Sequence, residues 1–262
     1  MPRFCANVSM LFTELKLLDR FAAARAAGFT AVEIQFPFEA PFEDLARAVE
    51  LAGVAVTLIN FPAGDAAKGD RGLGALPGRV EEFRAGVLLA KRYAERLGAR
   101  RINLLAGVPP REVDPGACRA TMLENMYEAA RAVIDIGADV VIEAINVRDV
   151  PGFYVHRSQH AIELIDAAGG DNIAFQYDLY HMQIMEGDLI PTLTRLNERI
   201  GHIQFADTPG RHEPGTGEIN YANVFAAIDR IGYAGFVGAE YRPSGATADS
   251  LDWFAPWRKK GA

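Results

Sequence analysis

Runs of apolar residues rich in β-branched and aromatic side chains recur along the chain, each followed by a stretch whose apolar positions return every three or four residues. The first pattern marks a buried strand and the second an amphipathic helix, and their alternation predicts βα units that feed a parallel sheet. Eight strands are expected: Arg3–Val8, Ala31–Phe36, Val54–Asn60, Arg101–Ala106, Asp139–Ile145, Ile173–Leu179, His202–Asp207 and Phe236–Tyr241. Helices fit between them. LKLLDRFAAARAA stops at Gly28 and Val80–Leu97 stops at Gly98, glycines placed to close a helix. Eight units in 262 residues allot about 33 to each, the size of one repeat of a closed barrel.

An open doubly wound sheet would give the same alternation, but its dinucleotide-binding form needs GxGxxG directly after the first strand. That strand runs instead into Asn7-Val8-Ser9, and the near match Gly72-Leu73-Gly74-Ala75-Leu76-Pro77 has Pro where the third Gly belongs. It lies in the connection Pro62–Gly78, far longer than the usual ~2–6 residues of a βα loop, which marks the segment as a lid. No linker or shift of composition divides the chain. The expected fold class is α/β, a single-domain (β/α)8 TIM barrel over residues 1–262.

Composition narrows the partners. The chain is 50% hydrophobic and 23% charged, as globular domains are, and its formal charge of −7 leaves no basic surface for a phosphate backbone, so nucleic acid is not expected. Cys5 and Cys118 lack CxxC spacing, which fits a reducing compartment and argues against cysteine-ligated zinc. The opening MPRFCANVSMLFTEL shows no signal-peptide pattern and no run of 18 apolar residues occurs, so a cytoplasmic location with no membrane partner is expected. None of the five lysines lies on a strand that lines the lumen, which removes Schiff-base and pyridoxal chemistry. GxSxG and GxxxxGK[ST] are absent as well.

In a parallel barrel, catalytic groups gather at the carboxyl ends of the strands. Strand five carries Glu143 there, strand six Asp178, strand seven Gln204 and strand eight Glu240, separated by 35, 26 and 36 residues, about one βα unit each. Taken alone, each could face solvent or pair with an arginine. Together, three carboxylates in a lumen repel one another unless a cation compensates, and four oxygen donors suit Mg²⁺, or Mn²⁺, better than Zn²⁺. His181, three residues after Asp178, is placed to reach a substrate oxygen, with a surface position as the plain alternative. His202 shares the inward face of Gln204 as a packed or a functional group. His156 and His160 lack the Glu of HExxH, and a Ser-capped helix start explains that segment.

Several segments are similar to those of bacterial hydroxypyruvate isomerases: FCANVSMLFTEL, NFPAGDAAKGDRGLGALPGR, IEAINVRDVPGF, QYDLYHMQIMEGDL, HIQFAD with RHEPGTGEINY, and GAEYRP. The resemblance covers nearly the whole chain and implies a sugar isomerase/epimerase barrel of xylose isomerase type. It puts metal ligands on Glu143, Asp178, Gln204 and Glu240, with the two glutamates as the acid–base pair. The implied reaction interconverts hydroxypyruvate and tartronate semialdehyde through an enediolate, as a step of glyoxylate metabolism. Arg211, Lys68 and Arg71, in loops at the catalytic end, are candidates for the substrate carboxylate, and each could equally be a solvated surface charge. Ala66 stands where many relatives place an aromatic.

The 2-oxo-tetronate isomerases look nearly the same in these motifs, and a ketose 3-epimerase is a further reading of the same barrel. A DNA-repair endonuclease of the endonuclease IV type would need more than five histidines and a basic face. A non-catalytic sugar-acid-binding barrel would keep the pocket without an acid–base pair. The expected partner is a small hydroxy- or oxo-acid substrate, with a homo-oligomer left open.

Overall fold

A computed structural model describes residues 1–257. Eight parallel strands close into a barrel in chain order: β1 (Arg3–Asn7), β2 (Ala31–Glu33), β3 (Ala55–Asn60), β4 (Arg101–Leu104), β5 (Asp139–Glu143), β6 (Ile173–Asp178), β7 (Ile200–Phe205) and β8 (Phe236–Ala239), with β8 pairing back to β1. The helices are α1 (Leu17–Ala26), α2 (Phe42–Ala52), α3 (Val80–Leu97), α4 (Pro115–Val133), α5 (Ser158–Ala168), α6 (Leu179–Met185), α7 (Leu189–Leu196) and α8 (Tyr221–Arg230). No helix among the described residues is long and apolar enough to cross a membrane.

Most strands end one to three residues before the apolar pattern does, because the carboxyl ends splay into loops. Single bonds outlast the ladder there, such as Asn60 N to Gln35 O and Glu240 N to Phe205 O. Strand β7 starts two residues earlier than the pattern indicated, at Ile200, which pairs with Phe175. Alternation sends Phe175 and Tyr177 to the helix side of β6 and Gln176 and Asp178 to the lumen. Register then puts Glu143 beside Gln176, Asp178 beside Gln204, and Gln204 beside Gly238. The segment Thr247–Trp257 closes the β8–β1 joint, stacking Phe254 on Phe29 at 4.2 Å and setting Trp253 and Trp257 edge-on to Phe4.

One local expectation changes in detail. Ser158 does not cap α5 with its own side chain; its N–H and Oγ both donate, at 2.8 Å, to the carboxylate of Glu186 from the end of α6. The long connection after β3 is ordered against the barrel. Gly72 bridges to Ala106, where a Cβ on Gly72 would fall 2.3 Å from the Leu105 carbonyl oxygen. Asp70 pairs with Arg79 at 3.0 Å and accepts from Asp65 N at 2.7 Å.

Candidate active site

Glu143, Asp178 and Glu240 converge at the carboxyl end of the barrel, each buried, beneath a cavity of about 320 Å³. Asp178 is fixed by the abrupt strand-to-helix junction it occupies: Oδ1 accepts from Tyr180 N at 2.8 Å as the cap of α6, which leaves Oδ2 to the site. Asn103 on β4 donates to Glu143 Oε2 at 2.7 Å, and Gln35, just beyond β2, donates to Glu240 Oε1. Each glutamate thus has one oxygen held by an amide. The other oxygen of Glu240, Oε2, makes no hydrogen bond although it is buried.

His181 enters from the first turn of α6. Its Nδ1 lies 3.3 Å from the donating backbone N–H of Asn146, so the ring proton belongs on Nε2, which faces Asp178 Oδ2 at 3.4 Å and Glu143 Oε1 at 3.7 Å. Burial, and then Arg211, hold its pKa well below the usual imidazole range, so the ring is neutral. Arg211 supplies the positive charge. Its Nη2 lies 3.4 Å from Asp178 Oδ2 and 3.2 Å from Glu240 Oε2, and its guanidinium covers the Tyr180 ring at 5.0 Å.

Arg211 adopts φ +60°, a conformation uncommon for a side-chain-bearing residue, and the loop that holds it so is wound on Asp207. That buried carboxylate accepts four backbone N–H groups: Thr208 at 2.9 Å and Ile219 at 3.1 Å on Oδ1, Gly215 at 2.9 Å and Gly217 at 3.0 Å on Oδ2. Glycine is required at 217, where a Cβ would lie 2.5 Å from Asp207 Oδ1.

One guanidinium does not balance three buried carboxylates. Burial first, then Asp178, pushes Glu143 up to about 8; burial likewise raises Asp178, and it raises Glu240 well above the usual range. Oxygen donors and negative charge that one arginine does not balance are what a hard divalent ion requires, and Glu143 and Asp178 hold carboxylate oxygens within 4.8 Å of each other.

The remaining sequence candidates separate. Gln204 lies in register beside Asp178, its Oε1 accepting from Gln176 Nε2 at 2.5 Å and its Nε2 donating to Glu33 Oε1 at 2.8 Å. Arg71 lines the cavity, whereas Lys68 is 81% exposed, paired with Asp65 at 3.1 Å, and is not among the lining residues. His202 packs in the lumen with Nε2 2.7 Å from Glu33 Oε2. Sequence reasoning passed over Gln35, Asn103, Glu33 and Asp207. Inward parity on strands two and four was a usable signal for the first three, and an Asp just before a glycine-rich loop was one for the fourth.

A closed parallel barrel with paired glutamates, a strand-end aspartate and a buried arginine under one cavity defines a barrel enzyme for a small polar molecule, with residues that could hold a metal ion. Residues 21–257 match the model of the xylose isomerase-like TIM barrel family. A 2-oxo-tetronate isomerase of Cupriavidus necator is 45% identical over 98% of this chain and 99% of its own length, and a hydroxypyruvate isomerase of Escherichia coli is 45% identical over 98% and 100%. The crystal structure of a Brucella melitensis protein named AP endonuclease, family 2, superposes with a TM-score of 0.96 at 40% identity, covering 99% of this chain and 100% of that one. The chain belongs to the xylose isomerase-like TIM barrel family and is one of its isomerases.

Proposed function

We propose that the protein interconverts hydroxypyruvate and tartronate semialdehyde by moving one proton between adjacent carbons, with Mg²⁺, or Mn²⁺ in its place, held by Glu143, Asp178, Gln204 and Glu240. The observation that carries this reading is the pair of buried glutamates lining one cavity, each with one oxygen tied by an amide. A bound divalent ion supplies positive charge for the two oxygens of the enediolate.

The protein's own residues do the rest. One glutamate takes the proton from C3 of hydroxypyruvate, leaving its electron pair to form the C2–C3 double bond of the enediolate. The other returns a proton to C2 while the O3 hydroxyl proton passes to O2, so that C3 becomes the aldehyde and C2 carries the hydroxyl, and the reverse reaction exchanges the roles. His181 Nε2–H points at the carboxylate cluster as a neutral donor, which stabilises developing oxyanion charge without adding a full cation. Arg211 and Arg71 on the cavity wall would bind the substrate carboxylate. Lys68 faces solvent and pairs with Asp65 instead.

Deuterium uptake from solvent into hydroxypyruvate tests the reaction: it should require Mg²⁺ and stop after chelation. Uptake that survives exhaustive EDTA would refute the role of the ion. A second reading, isomerisation of 2-oxo-tetronate, is supported by the Cupriavidus necator relative of that name and by the cavity wall at Ala66, whose small side chain leaves room for one more carbon. Running both substrates in parallel separates the two.

A further inference from the structure

Beneath the carboxylates the lumen holds a second polar layer, of which the proposed chemistry uses only Gln204. Its centre is Glu33, fully buried on β2. Oε1 accepts from Asn7 Nδ2 at 3.0 Å and Gln204 Nε2 at 2.8 Å, while Oε2 faces His202 Nε2 at 2.7 Å and the Cys5 thiol at 4.0 Å. Strand β8 leaves the space for it, since a Cβ on Gly238 would fall 2.5 Å from both carboxylate oxygens. Cys5, Glu33 and His202 offer donor atoms within 4.8 Å of one another, yet the carboxylate's acceptor sites are already filled by side chains.

What this layer does follows from the chemistry of Gln204. An amide has an oxygen that binds a cation and a nitrogen that does not, and the two ends have nearly the same shape. A glutamine ligand therefore works only if its surroundings tell the ends apart. Glu33 Oε1 accepts from the nitrogen and so marks that end, while Gln176, an amide that can turn to match, donates its Nε2 to the oxygen. Gln204 Oε1 has two lone pairs, and one of them remains.

Resting on the ion proposed above, we infer that Glu33 is a positioning residue of the metal centre: it fixes the Gln204 amide with its oxygen as the ligand, and is itself held in place by Asn7 and His202. Glu33→Gln keeps the shape but gives residue 33 both a donor and an acceptor, so the 204 amide is no longer told which way to face. Loss of a group that orients a metal ligand typically weakens metal binding by about 10–100-fold.

The test is Mn²⁺ binding to metal-free protein, followed by the electron paramagnetic resonance signal of free Mn²⁺, with circular dichroism to show that each variant is folded. Wild type should bind one ion and Glu33→Gln should bind it about 10–100-fold more weakly. Adding Gln204→Glu to Glu33→Gln should restore affinity, because a carboxylate at 204 has oxygen at both ends and can accept from an amide at 33. Gln204→Glu alone controls for the charge that a carboxylate adds to the site: beside Glu33 two carboxylates would repel, so the single variant should bind more weakly than the double one, and equal binding by the two would overturn the inference. Unchanged affinity in Glu33→Gln, no recovery in the double variant, or two ions per wild-type chain would each overturn the inference. Absence of any Mn²⁺ uptake by wild type would instead overturn the ion reading itself, and this inference with it.

Discussion

Asp207→Asn removes one oxygen from the carboxylate around which the Arg211 loop is wound. The carboxylate accepts two backbone N–H groups on each oxygen, all between 2.9 and 3.1 Å. An amide has only one accepting end, so in either orientation two N–H groups lose their acceptor and meet an NH₂ group instead. Hydrogen bonds to a buried charge contribute about 1.5–3 kcal/mol each, so an intact loop would lose about 3–6 kcal/mol. That is a large share of the roughly 5–15 kcal/mol by which domains are stable. The loop can limit the loss by opening and letting water reach the freed N–H groups, but opening withdraws Arg211 from Asp178 and Glu240. Urea unfolding and kcat/KM should be measured together. The variant should lose several kcal/mol of stability, or show faster amide exchange at Gly215 and Gly217 with a kcat/KM reduced at least tenfold. Stability within about 1 kcal/mol of wild type with unchanged kcat/KM would refute the reasoning.

Three further outcomes are expected. Glu143→Gln and Glu240→Gln keep a ligand oxygen but cannot carry a proton, so turnover should fall about 10²–10⁴-fold and stay low in excess Mg²⁺, whereas Asp178→Asn should be partly rescued by it; equal rescue of all three would reduce the glutamates to ligands. In metal-free protein the folded-state value of Glu143, about 8, lies above the ordinary 4.5, so the folded state retains a proton that the unfolded chain releases; stability should fall as pH rises from about 4.5 to about 8, and the gain in thermal midpoint on adding Mg²⁺ should widen over that range. A gain that was flat with pH would contradict the burial argument. Arg71→Ala should raise KM about threefold to tenfold for a charge-assisted contact near solvent, while Lys68→Ala leaves KM unchanged; an equal rise in both would place the substrate carboxylate elsewhere.

The alternation of apolar runs and helical periods was enough to determine a closed eight-stranded barrel, because a strand buried on both faces and a helix buried on one leave different periods in the chain. The same parity argument brought Glu143, Asp178 and Glu240 to one rim, since strand-end position and inward direction are local properties. Strand ends were less legible: splayed loops keep the apolar composition of the strands they leave.

Only the tertiary structure decided which loop charges turn inward. Arg211 and Lys68 look alike as cations in glycine-containing loops, yet one is drawn in by four N–H groups wound on Asp207 while the other pairs with Asp65 at the surface. The layer of Glu33, Asn7, Gln204 and His202 was likewise hidden, because it joins residues from three strands far apart in the chain through a register that shifts at Val32/Glu33 and again at Phe175/Gln176. A one-residue shift exchanges the faces of a strand. Which polar groups meet is therefore settled by the closure of the barrel, and no spacing along the sequence records it.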